Sequence, residues 1–209
     1  MRKTPRRPVT LESVEFDAFI GDIDPALRLQ AAHDTAAALL ARIRAGIDQE
    51  TVERLLAYTH VHGVDEVAEL WSAAPAHTLP GALWRLYLVH ASIVAHADTT
   101  ADSYRAGVAS LPTIDEVVAG ARTPTGPDEI RSLADDILRG AFTGDLATAL
   151  DRASAFCRIS AHGLTALAFE ADANAPERAA QFTDRAQTLS EFARDFAACA
   201  ALARNSLLS

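Results

Sequence analysis

The sequence predicts an all-α protein, and three observations carry that prediction. Alanine and leucine, both strong helix formers, dominate an apolar fraction of 49 %, while strand-length runs of Val, Ile, Thr and Tyr are missing. Apolar residues recur at three- and four-residue spacing. Capping residues, prolines and glycines stand where those stretches begin and end. A chain of 209 residues is long enough for one domain with a full core. The expectation is a single-domain bundle of about seven to eight helices over residues 22–209. An irregular arm (1–21) precedes it, and a long antiparallel hairpin (146–204) closes it.

The elements follow in order. Asp24 is a good N-cap and Pro25 suits the first helical position, so a helix runs to about Arg44, with Leu29, Ala32, Ala36, Leu39, Leu40 and Ile43 on its inner face. Asp48 caps a second helix bearing Val52, Leu55 and Leu56. A short third one holds Val64, Val67 and Trp71. Leu79-Pro80-Gly81 opens a fourth helix to about Ala97, striped by Leu83, Leu86, Tyr87, His90, Ile93 and Val94; a fifth reaches about Ser110. Thr113 and Glu116 have capping-box spacing at the start of a helix of one to two turns. Pro127 starts the next helix, which Gly140 is expected to end, leaving Gly140–Gly144 as a loop. Asp145 caps a long helix to about residue 171, and after a turn at Asn174 the last helix runs to Arg204. In it Phe182, Leu189, Phe196 and Ala203 lie seven apart, a heptad-like seam with Phe192 beside it.

The formal net charge is −9, and Arg2, Lys3, Arg6 and Arg7 are concentrated in the arm. Without those four, 15 basic residues remain against 28 acidic ones. An acidic body repels phosphate backbones, so no nucleic-acid partner is expected, and the basic tail reads as a solvated terminus. There is no apolar run of membrane length and no signal-peptide pattern, so no membrane partner is expected and the reading is cytoplasmic. Lys3 is the only lysine, a bias that fits bacterial genomic composition. Cys157 and Cys199 make no disulfide framework. From the hairpin register, Cys157 should stand level with about Glu191, too far from Cys199 to bond.

Several stretches together carry a family likeness: residues 21–28 (GDIDPALR), 79–87 (LPGALWRLY), 122–130 (RTPTGPDEI) leading into 139–142 (RGAF), and 153–158 (ASAFCR). They resemble an uncharacterised family of all-helical actinobacterial proteins, over nearly the whole chain. The resemblance implies a helical fold and supplies no activity, cofactor or catalytic residue.

No constellation of residues carries a catalytic mechanism, so no catalytic residue and no cofactor is assigned. His60 and His62 stand two apart and diverge. His90 and His96 stand six apart and diverge by roughly 120° on a helix. No Glu-x-x-His occurs. His90, inside an apolar stripe, reads as a satisfied core histidine. Ser160 and His162 lack a nucleophile elbow, and Cys157 sits on an apolar face as a small hydrophobe. Glu12, Glu15, Asp17, Asp22 and Asp24 lack the spacing of a calcium loop. Glycines 140 and 144 precede a helix whose N-terminus Asp145 already caps. The residue types enriched at binding hot spots meet in Trp84, Arg85 and Tyr87, the candidate binding surface.

Two functional expectations follow. The first is a non-catalytic helical interaction or assembly protein, self-associating as a homodimer or held by a protein partner. The alternative is a small-molecule or metal-binding helical protein, enzymatic or not, with an inter-helix pocket near His90 and His96.

Overall fold

A computed structural model describes residues 24–44, 71–123 and 125–209. The expected arm (1–21), the helices over Asp48–Thr59 and Val64–Leu70, His60 and His62, and the acidic cluster before Asp24 lie outside these residues. The described residues hold seven helices and no strand: α1 (Pro25–Arg44), α2 (Leu79–Ala95), α3 (Ala97–Ser110), α4 (Asp115–Ala119), α5 (Pro127–Thr143), α6 (Leu146–Ala171) and α7 (Pro176–Arg204).

The axis of the bundle is α6. Fifteen of its 26 residues are buried, too many for one amphipathic stripe, because α7, α3, α4 and α5 all pack against it. Its start is fixed by Asp145, whose Oδ1 accepts from the Ala147 amide at 3.0 Å and whose Oδ2 accepts from the Thr148 hydroxyl at 2.6 Å. α6 and α7 form the expected hairpin. Its register is set where the Ser154 hydroxyl donates to the Ala193 carbonyl at 2.7 Å. Cys157, three residues on from Ser154, is therefore level with about Ser190; both cysteines are buried and free.

The crossing of α3 over α6 is unusually close. A Cβ on Gly163 would stand 1.7 Å from the Ser103 carbonyl oxygen, and one on Gly107 would stand 2.0 Å from the Ile159 carbonyl oxygen. Backbone therefore lies against backbone, which only a residue without a side chain permits. Tyr104 and Phe156 stack beside the crossing, 5.6 Å between centroids at 16°. Burial first, then Glu116 and Asp115, pushes the Tyr104 phenol up to about 12.

Three local expectations are corrected. Thr113 does not open a capping box: its hydroxyl oxygen accepts from the Asp115 amide at 3.3 Å, and Ile114 takes the cap position without a side-chain bond. The first turn of α4 is drawn instead to Arg158 of α6, whose Nε and Nη2 each donate to Asp115 at 2.7 Å. That pairing holds the Asp115 carboxyl below its ordinary range. The reciprocal glutamate bond occurs elsewhere, from the Gly126 amide to Glu129 Oε2 at 3.0 Å at the head of α5. Gly140 does not end α5, which continues to Thr143 because Ala141 and Phe142 are buried in the core. The candidate anion loop is thus the last turn of that helix. Finally, Leu29 points outward, 37 % exposed, while Ala32, Ala36 and Leu40 form the inner face of α1.

Gly163→Ala should lower the unfolding free energy by about 3 kcal/mol or more, the upper range of overpacking costs. Denaturant unfolding followed by circular dichroism measures it; a loss below about 1 kcal/mol would mean that the two backbones are not in contact.

Candidate functional site

Four helices, α2, α3, α6 and α7, part on one side of the crossing to leave a crevice of about 290 Å³. The wall from α2 is Leu88, Val89, Ser92 and Ile93, and that from α7 includes Thr188, Leu189 and Phe192. Phe156 and Leu164 of α6 form its depth, and Thr100 and Ser103 of α3 close the end. Asp184 and Arg185 stand at the α7 side, the first exposed and the second half-buried. A largely apolar concavity with a few polar groups is the usual form of a small-molecule site, and this volume is at the small end of such sites.

The polar groups around it differ in one respect. The Thr100 hydroxyl donates to the His96 carbonyl at 2.8 Å, and the Ser103 hydroxyl donates to the Thr100 carbonyl at 2.9 Å. Ser160 lies four residues from both Phe156 and Leu164, on the same stripe of α6. It is fully buried, and its hydroxyl has no partner among the described residues. Three-to-four spacing puts Ser160 on the inner stripe of the long helix with Cys157 and Leu164, and beside His162 it is a nucleophile candidate without an elbow. In the structure His162 is exposed while Ser160 points inward, so the two do not meet. A polar residue on an apolar stripe was the available signal.

The candidate surface Trp84, Arg85, Tyr87 is split. Trp84 and Tyr87 stack on each other, 5.9 Å between centroids at 20°, and both are half-buried. Arg85 leaves them for α7. Its Nε donates to Asp195 Oδ2 at 3.1 Å, its Nη1 donates to the Gly81 carbonyl at 3.1 Å, and its guanidinium lies 6.0 Å from the Phe192 ring centroid. Asp195 also meets His77 Nε2 at 3.2 Å. Arg85 thus pins Phe192, one wall of the crevice, against α2. This also covers the Phe192 side of the seam from within the chain, so that seam does not itself require a second subunit. One turn beyond Asp195, the buried Cys199 thiol donates to the Ala76 carbonyl at 3.4 Å, and burial with the nearby Asp195 pushes it up to about 11. Burial raises the Cys157 thiol as well, which leaves neither cysteine a ready nucleophile.

His90 and His96 are separated. His90 is 4 % exposed and its Nε2 lies 2.7 Å from Asp135 Oδ1, joining α2 to α5. His96 is exposed at the junction of α2 and α3, where its carbonyl takes the Thr99 and Thr100 hydroxyls. Neither lines the crevice. Among the described residues no group of three or more His, Cys, Asp or Glu is placed to hold a metal ion. No described helix is long and apolar enough to cross a membrane.

Comparison with protein-family models, with curated proteins and with solved structures finds no match.

Arg85→Ala removes a charge-assisted bond and the cover over Phe192 together. The expected cost is about 1–2 kcal/mol, read by denaturant unfolding. Asp195→Ala in the Arg85→Ala background should cost less than it does alone, by about 0.5 kcal/mol or more. Strict additivity would contradict the assigned pairing.

Proposed function

We propose that this is a non-catalytic helical binding protein that takes a small, mostly apolar molecule in the crevice between α2, α3, α6 and α7. The observation that carries this reading is the crevice itself: about 290 Å³ of largely apolar space between four helices. An apolar cavity of about 150 Å³ admits benzene, so this one suits a molecule of roughly twice that size. Neither His90 nor His96 lines this crevice. The family resemblance adds no activity to this reading.

A second reading, self-association as a homodimer, is favoured by α4. Ile114 and Val117 are 72 % and 78 % exposed, and Val118 beside them 36 %, an apolar spot of the kind that marks interfaces. A second copy applied to α4 about a two-fold axis would cover it. Light scattering at high micromolar concentration should then give twice the chain mass, and Val117→Asp should give the single mass. A monomer in the unaltered protein contradicts this second reading.

For the first reading, naphthalene is the probe. It should bind with Kd on the order of 0.1 mM, from the usual energy per ligand atom, and raise the melting temperature. Ser92→Trp, at an exposed position on the rim, should block binding while leaving the fold intact. No binding to the unaltered protein, or undiminished binding to Ser92→Trp, would count against the crevice.

A further inference from the structure

We infer that the occupant of this crevice is a neutral molecule bearing one hydroxyl or carbonyl group, and that Ser160 selects it by donating a hydrogen bond to that group. This rests on the reading of the crevice as a binding site and goes further by naming the ligand's chemistry and the residue that recognises it.

Around the crevice, Thr100 and Ser103 have committed their hydroxyl protons to backbone carbonyls. Ser160 has not: its hydroxyl, like that of Tyr104, is fully buried and unpartnered among the described residues, and of the two it is Ser160 that stands on the Phe156–Leu164 stripe. A buried polar group without a partner is costly, so its retention on an apolar stripe calls for a compensating contact. Helical spacing puts it between Phe156 and Leu164, both of which line the crevice. Because Ser160 has no solvent-accessible surface, contact requires Phe156 or Leu164 to turn aside, a rotamer change of the sort binding commonly induces.

Charge is excluded by the walls. Phe156 and Leu164 make the depth of the crevice and Ser103 and Thr100 its end, with no ion among the four to compensate a buried charge. Asp184 and Arg185 at the α7 side are of opposite sign and give the rim no net preference. What remains is an apolar body with one acceptor, which a serine proton satisfies.

Naphthalene and 1-naphthol differ by a single hydroxyl and test this directly on the full chain. In fluorescence titrations 1-naphthol should bind about three- to tenfold more tightly, the net worth of one hydrogen bond. Ser160→Ala should bring the ratio to about one through loss of 1-naphthol affinity, with naphthalene unchanged. Without ligand, the same variant should melt about 2–4 °C higher, because an unsatisfied group has gone. Ser160→Cys keeps a donor at the same position, slightly larger and weaker, and should give an intermediate ratio, and it serves the comparison if the alanine variant does not fold. Equal affinities in the unaltered protein, or a preference that persists in the variants, would overturn the assignment of Ser160 and leave the crevice standing. Binding of neither probe would overturn both.

Discussion

The arrangement depends on the contact of two helix backbones. Where α3 crosses α6, Gly107 and Gly163 let the chain of one helix rest on the carbonyls of the other. Side chains at those two positions would push the helices apart by an ångström or more, since ordinary van der Waals contact begins near 3.5 Å. Such closeness has a consequence on either side. Tyr104 and Phe156 stack beside the crossing. Beyond it α3 offers only the short side chains of Ser103 and Thr100, which do not reach far enough to fill the gap between α2 and α7. The crevice is therefore what a glycine crossing leaves when its flanks are small residues.

Polar ties fix how the surrounding helices sit on this axis. Arg85 with Asp195 joins α2 to α7, His90 with Asp135 joins α2 to α5, and Arg158 with Asp115 joins α6 to α4. The last continues through Ser154, whose hydroxyl accepts from Arg158 at 2.7 Å and donates to Ala193 of α7. Each partly exposed pair contributes on the order of 1 kcal/mol. A single fully buried leucine such as Leu150 contributes about 2 kcal/mol through burial alone. The ties therefore govern orientation more than total stability, and Arg85 matters chiefly because it holds the Phe192 wall in place.

Much of this fold is legible in the sequence, because local chemistry dictates it. Asp24, Asp145 and Pro127 mark helix starts through groups that act within three residues, and the hairpin follows from two long periodic stretches and a short turn. Residues whose role depends on a distant partner were not legible. Nothing local singles out Gly107 or Gly163; only the crossing shows why their lack of a side chain is required. Arg85 looked like part of an exposed aromatic cluster until Asp195, 110 positions later, drew it away. Thr113 and Glu116 had the spacing of a capping box, but the stronger pull of Arg158 on Asp115 set the turn differently. Gly140 looked like a terminator, yet burial of Ala141 and Phe142 extends the helix past it. Ser160 stood out only once its neighbours' hydroxyl protons were accounted for.

The glycine crossing leaves an open apolar crevice rather than a collapsed core. Diffraction from crystals held under xenon tests it most directly, since xenon enters apolar cavities without needing any particular polar partner. Xenon density is expected between Phe156, Leu164 and Leu189, with little movement of α2 or α7. A structure in which Leu189 and Phe192 fill that space, with no xenon between them, would contradict it.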